Sequence, residues 1–390
     1  MAKSLLSIVT GNTPQIRGVA VDQVLNLSPR AVVVSVSLHV RENGLPVVQR
    51  YLSGEDSRLS RIPPQVATGR PSVVIRQDLL SLRRSIGRHH VILALPGEVD
   101  VLPFLVELWR TRIGGGQIGD HYQPGPVLVG VDPAAFMADI GCVHRAVRLS
   151  DGWDYSPPLT PAEAAVRSVE SADVLVTSPS VHEEGPFASG VTALTRQLNC
   201  DASLLALDGS DSSASLLRPS GPDFVGRWQA LLEPVTIPRY SRGADASVRS
   251  VLWRSRRPVH AQRLAEALPV VMRAVARSKG HLWLSSRPDA VVTWRSAGAH
   301  LEIQESDRWL EPQNVPAWDA ASPQRRTLAS WFWHDYYGER RNEIVFTGVD
   351  LDEGLLRSSL DETLMTDQEL ALGREGWASI PDPLLDVEPS

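Results

Sequence analysis

The segment Gly11-Asn-Thr-Pro-Gln-Ile-Arg17-Gly18 stands where a chain of this pattern would hold a phosphate. The apolar run Ser4–Thr10 before it reads as one buried strand, and the continuation to Leu25 reads as a helix. Strand, glycine turn and helix form the frame of a phosphate-binding loop. In such a loop backbone amides face the phosphates, a lysine reaches the β and γ oxygens, and a Ser/Thr hydroxyl holds Mg²⁺. Here Arg17 occupies the lysine position and Gly18 the hydroxyl position, while Pro14 and Ile16 replace inner glycines. Lys3 and Lys279 are the only lysines, so no other segment can supply the motif.

Positioning such a loop requires a parallel sheet with crossover helices. The sequence offers strands at 31–40, Val47–Leu52 (after an Asn43-Gly44 turn), His90–Leu95, Val127–Val131, Asp173–Thr177 and Ser203–Leu207. Helical spacing falls at 76–87, 99–112, 134–140, 161–172 and 191–198, and the Gly/Pro-rich 112–126 reads as a loop. This alternation predicts an α/β, P-loop-NTPase-like domain over 1–208, with a mostly parallel sheet and helices on both faces. A Ser/Pro/Gly-rich linker, 209–247, follows. A smaller α+β domain is expected over 248–370. Its strands are read at 248–253, 280–285, 290–296, 299–306 and 342–347, and its helices at 260–275, 323–336 and 352–365. An acidic tail, 371–390, closes the chain.

A chain of 390 residues suits two domains, and its net charge of −6 argues against non-specific nucleic-acid binding by the whole surface. No apolar stretch reaches the roughly 18–20 residues of a membrane span, and the N-terminus lacks signal-peptide features, so a cytoplasmic protein is expected. Cys142 and Cys200 form no CxxC and read as two buried thiols. His89-His90, at a strand start, read as surface or capping residues. No G-x-S-x-G elbow is present, and Gly114-Gly115-Gly116 reads as loop. The aromatic run Trp331–Tyr337 reads mainly as core, with one or two rings left for a partner. Charge is uneven: from Arg249 to Arg295 nine arginines and Lys279 face only Glu266 and Asp289, whereas the stretch after Asp350 is acidic.

The second half carries specific local patterns: Arg256-Arg257-Pro258-Val259-His260-Ala-Gln-Arg263-Leu264, Arg277-Ser278-Lys279-Gly280-His281-Leu282-Trp283-Leu284, Gly338-Glu339-Arg340-Arg341-Asn342-Glu343-Ile344-Val345-Phe346-Thr347-Gly348 and Leu360-Asp361. Together they resemble the C-terminal domain of the CobW family of GTP-binding metal chaperones. The departures are Val259 for Phe, Glu339 for Asp and Asn342 for Gln. The resemblance sets the register of the first half, where Ser168-Val-Glu170-Ser-Ala-Asp173 also matches. It implies GTP with Mg²⁺ and Zn²⁺ as family ligands. In that register the family's three cysteines fall on Arg70, Ser72 and Val73. The switch carboxylate falls on Ala94 of Ala94-Leu95-Pro96-Gly97, and the guanine-reading Asn-Lys-x-Asp falls on Ser178-Pro179-Ser180-Val181.

The expectation is therefore a degenerate family member with no catalytic residues, no metal site and no cofactor. Gly11, Arg17 and Gly18 would be vestiges of a nucleotide site. The eroded loop and the arginine-rich, lysine-poor composition, which fits a GC-rich genome, resemble the family's actinobacterial branch that recruits a ribosome hibernation factor under zinc limitation. That resemblance implies a hibernation factor, the 30S subunit or an intact paralogue as protein partner, with rRNA contact at Arg254, Arg256, Arg257, Arg273, Arg277, Lys279, Arg287 and Arg295. A helix over 260–275 would bring Arg273 and Arg277 onto one face. The alternatives are a GTP-dependent zinc metallochaperone with a divergent site and a pseudo-GTPase subunit.

Overall fold

Eight strands pair into one sheet in the N-terminal half, in the order β4-β3-β2-β5-β1-β6-β7-β8. They are β1 (Ser4–Gly11), β2 (Val32–His39), β3 (Val47–Ser53), β4 (Gln65–Thr68), β5 (Val91–Ala94), β6 (Tyr122–Val131), β7 (Val174–Thr177) and β8 (Ser203–Ala206). The computed structural model describes residues 2–39, 45–59, 62–110, 117–144, 159–177, 186–206, 214–221, 223–245, 247–377 and 379–386. The Asn43-Gly44 turn, Gly114–Gly116 and Ser178–Val181 lie outside these. Strands β2, β5, β1, β6, β7 and β8 run parallel, and β3 and β4 add an antiparallel edge.

Crossover helices cover both faces: α1 (Pro14–Leu27), α2 (Pro71–Ile86), α3 (Val101–Trp109), α4 (Ile118–His121), α5 (Pro133–Ile140), α6 (Pro161–Ser171) and α7 (Pro186–Leu198). Helix α1 buries Ile16, Ala20 and Val24, one residue per turn, against the sheet. Thr13 caps it and Pro14 occupies its first turn, the position where a missing N–H costs nothing. Helix α2 starts earlier than the 76–87 spacing suggested, because Pro71 opens it, and it ends as expected at Gly87 with φ 82°.

The loop expected over 112–126 is wrong in its second half. Helix α4 and the start of β6 occupy Ile118–Gly125, and Tyr122 is fully buried with its hydroxyl donating to Leu79 O at 2.8 Å. The Gly125-Pro126 pair misled the reading because it sits at a register shift, where Leu6 faces Pro124 but Ile8 faces Val127. A proline is tolerated at such a bulge. Strand β4, four residues long at the sheet edge, was not anticipated at all.

The chain divides into two compact units, residues 1–192 with 201–229, and 193–200 with 230–390. Helix α8 (Phe224–Leu232) lies within the segment read as linker, and Trp228 is buried there beside Trp109 and Phe224.

The second unit is built on an antiparallel sheet, β12-β11-β10-β13-β9, of β9 (Val248–Ser255), β10 (Val275–Leu282), β11 (Ala290–Ala297), β12 (His300–Arg308) and β13 (Asn342–Val349). Helices α9 (Ala261–Val271) and α12 (Glu353–Asp361) cover one face. Leu264, Val271, Leu356 and Leu360 pack there with Val251, Trp253, Val292, Trp294, Ile344 and Phe346. Short helices α10 (Val315–Ala320), α11 (Pro323–Trp331), α13 (Asp367–Leu370) and α14 (Gly373–Trp377) complete the unit. At Gly280 a Cβ would lie 1.9 Å from Glu343 O, so only glycine lets β10 and β13 pair at this distance.

The helix expected to run to 275 stops at Val271. Ala274 takes φ 61° and turns the chain straight into β10. Arg277 is therefore a strand residue, and it shares no helical face with Arg273.

Candidate functional site

In an open parallel sheet, ligands bind outside the carboxyl ends of the strands, where the chain order reverses. Here β1 has β5 on one side and β6 on the other, so the crevice lies beyond Gly11, Ala94 and Val131. The residues around it are Asn12 and Thr13 after β1, Ile16 and Arg17 in α1, Leu95–Gly97 after β5, and Gly130–Asp132 at the end of β6.

The crevice is closed by the protein itself. Between β1 and α1 only Asn12 and Thr13 remain, in place of a loop that could wrap a phosphate. The Asn12 side chain spans to the far wall: Nδ2 donates to Asp132 O at 2.8 Å and Oδ1 accepts from Asp132 N at 2.8 Å. Asn12 N adds a bond to Gly130 O at 3.3 Å. Thr13 Oγ1 accepts from Ile16 N at 3.3 Å, so an amide of the α1 N-terminus is satisfied by its own cap. Arg17 Nη1 donates to Leu95 O at 3.3 Å, which turns the cation at the lysine position onto the β5 wall.

Packing completes the closure. A Cβ at Gly97 would lie 2.9 Å from Gly11 O, and one at Gly130 would lie 2.9 Å from Ile16 O. Gly18 is exposed on α1 with open space around it. Gly11, Arg17 and Gly18 thus keep their places in the chain, but they do not form a cradle. Among the described residues the amides of Asn12, Ile16 and Arg17 already have partners within the protein, Thr13 Oγ1 and Asp132 Oδ1 are spent on capping their own helices, and Gly18 supplies no hydroxyl at the position that would hold Mg²⁺.

The positions aligned with thiolates are equally inert. Arg70 is the extended residue before α2, and Ser72, buried, and Val73, half-buried, lie on the first turn of that helix. Among the described residues no group of three or more His, Cys, Asp or Glu is arranged to hold a metal ion. Cys142 is half-buried and Cys200 exposed, which corrects the reading of both as buried. His90 is no surface cap: Nε2 lies 2.9 Å from Ser7 Oγ, and burial pushes its pKa down to about 4.

The basic stretch is distributed through the second unit, with its charges engaged. Arg254 pairs with Glu343 at 2.6 Å. Arg256 donates to the carbonyls of Phe332 and Gly338 at 2.6 and 3.3 Å. Arg257 pairs with Asp367, and Arg287 pairs with Asp386 and with Glu305 at 2.7 Å. Arg277 is buried and donates to Ser296 O at 3.1 Å, which removes it from any contact surface. Lys279 and Arg295 face each other across β10 and β11 and are half-buried. Arg273 is exposed.

Sequence reasoning missed a buried ion pair. Arg325 and Glu339 are both almost inaccessible and bonded through the two terminal guanidinium nitrogens, Nη1 and Nη2, and Glu339 Oε1 also accepts from Leu310 N at 2.5 Å. Glu339 lies in the quoted signature, but nothing in its spacing pointed to Arg325. The aromatic run is not one helix either, since α11 ends at Trp331. Trp331 and Tyr336 are 71% and 80% exposed, while Trp333 packs on Trp318 and Tyr337 on Trp283.

The fold and site define a class: an α/β unit of P-loop-NTPase type with an altered loop, joined to an antiparallel α+β unit. Residues 248–364 match the Cobalamin synthesis protein cobW C-terminal domain. It is 29% identical over 338 residues to the zinc chaperone Rv0106 of Mycobacterium tuberculosis, a match covering 83% of this chain and 79% of that protein. It is 32% identical over 152 residues to the zinc-regulated GTPase metalloprotein activator 1 of Dictyostelium discoideum, covering 37% and 31%. Among solved structures it has a likeness to the Zn(II)-bound YjiA GTPase from E. coli, at 14% identity, 94% and 100% coverage and a TM-score of 0.38. No helix among the described residues is long and apolar enough to cross a membrane.

Proposed function

We propose that this chain is a nucleotide-independent member of the CobW family, a pseudo-GTPase that acts by binding a protein partner. The Asn12–Asp132 clasp carries the reading, because it lies across the crevice where a nucleotide would enter and satisfies its backbone groups internally. A lost lysine alone could be drift; a lost lysine with a sealed cradle is a domain kept for its scaffold. The partner proposed is a ribosome hibernation factor, recruited to the 30S subunit under zinc limitation in the cytoplasm.

Cosedimentation with 30S subunits, with and without added GTP and Zn²⁺, tests this. Association unchanged by either ligand supports it, and no association at low salt discards the ribosomal partner. A second reading follows from the relatives, a zinc chaperone and a zinc-regulated GTPase metalloprotein activator. It requires GTP turnover coupled to Zn²⁺ transfer, so GTP hydrolysis above a buffer control would favour it.

A further inference from the structure

The acidic C-terminal segment is fastened across the second unit. Trp377 is buried in a cluster with Trp283, Val291, Trp309 and Met365. Arg374 pairs with Asp289 at 2.8 Å and with Glu311 at 2.9 Å, so the middle of the strap is held by aromatic packing and by its own arginine. Towards its end, Asp382 is buried and accepts from Ser286 Oγ at 2.6 Å, while Leu384 and Leu385 pack on the core.

The charges on either side of this anchor behave differently. Asp367 pairs with Arg257 while itself 90% exposed, and Asp386 pairs with Arg287 while 60% exposed. Between them Glu369 accepts from Arg263 Nη1 at 2.8 Å and from Nη2 at 2.9 Å. These three arginines belong to one end of the unit. Val259 is bridged to Leu284 on one side and to Leu364 on the other, which gathers 257–263, the 284–287 turn and the start of the strap.

Guanidinium forks match carboxylate and phosphate oxygens alike. Exposed ion pairs contribute little stability, so carboxylates on such forks can be displaced at small cost by a polyanion that presents several phosphates at once. We infer that Arg257, Arg263 and Arg287 form a surface for the phosphate backbone of RNA, and that Asp367, Glu369 and Asp386 are its resident competitors, strapped over it by the anchored C-terminal segment, with Asp367 and Asp386 the more exposed of the three. RNA affinity is then set by how readily the strap's carboxylates yield. Glu305, which also pairs with Arg287, and Asp289, which pairs with Arg374, limit the surface to these three forks.

The test uses the full chain with Asp367→Asn and Asp386→Asn together. Both side chains are exposed, so the fold is expected to persist, and an unchanged melting curve verifies it. The probe is a fluorescein-labelled 30-nucleotide RNA hairpin at several salt concentrations. The double variant is expected to bind at least about tenfold tighter than the wild type at low salt. Its log Kd should depend on log[salt] with a slope steeper by about 2, since each added phosphate contact contributes about 0.9. Adding Arg257→Ala and Arg287→Ala should abolish the gain. Equal affinity of double variant and wild type overturns the inference, as does a gain that survives loss of the two arginines. Tighter binding of a poly-glutamate peptide without any for RNA also overturns it, in favour of an acidic protein partner. A failure of 30S cosedimentation alone would touch the ribosomal reading and leave this result unaffected.

Discussion

Replacing Asn12 by alanine probes whether the crevice is held shut. The substitution removes two side-chain bonds of 2.8 Å, one to Asp132 O and one from Asp132 N. Each contributes about 0.5–1.5 kcal/mol net, and leaving the partly buried N–H of Asp132 unpaired adds part of a desolvation cost, while Asp132 O keeps its bond from Phe136 N. The sum is about 2–3 kcal/mol. For a unit of this size that corresponds to a fall in Tm of roughly 5–10 °C. Asn12→Asp keeps the acceptor for Asp132 N but sets a carboxylate against Asp132 O, so it should cost at least as much. Thermal melting followed by tryptophan fluorescence, with urea titration as the second probe, measures both. The reasoning is refuted by a Tm drop under about 1 °C. It is equally refuted if GTP with Mg²⁺ raises the Tm of Asn12→Ala, because the packing of Gly97 and Gly130 should keep the cradle closed without the clasp.

Three further outcomes follow from the same geometry. Gly97→Ala drives a Cβ to 2.9 Å from Gly11 O and should cost about 1–3 kcal/mol by overpacking, read from the urea midpoint. Glu339→Gln leaves the Arg325 charge buried without its counter-ion and should cost about 3–5 kcal/mol, whereas Asp307→Asn, at the exposed partner of the same arginine, should cost under about 1. Stability should fall as pH drops from about 6.5 to about 4, because His90 and the buried His281 have pKa values pushed down by desolvation. The unfolded chain takes up those protons near 6.5 while the folded one does not, so the contribution is complete above 6.5 and lost on acidification. For His90 it is on the order of 2 kcal/mol after allowance for solvent screening, and His90→Phe should flatten the profile measured by urea midpoints at several pH values.

The sequence announced the elements better than it announced their ends. Strand β1, helix α1 and the antiparallel strands β11 and β13 stand where hydrophobic period places them. Gly125-Pro126 hid the start of β6, because turn-forming residues and a bulge look alike without the partner strand. The helix after His260 ran too far on paper, because Ala274 at φ 61° is imposed by tertiary pairing and leaves no mark on composition. The candidate site shows the same division. The missing lysine and hydroxyl could be read from Arg17 and Gly18, but the clasp could not, since Asn12 and Asp132 are 120 positions apart. The basic stretch misled in the opposite way: counted along the chain it looked like an open face, and in space most of its arginines already hold carboxylates or carbonyls.

Calorimetric titration of GTP with Mg²⁺ into the wild-type chain, and into a variant with Arg17→Lys and Gly18→Thr, tests the central claim directly. The sealed crevice predicts no binding heat for the wild type at a ligand concentration of about 1 mM. It predicts none for the variant either, because restoring the lysine and hydroxyl does not reopen a two-residue turn. Binding by the variant would show that the side chains alone were lost, and saturable binding by the wild type would contradict the claim that the nucleotide site is closed.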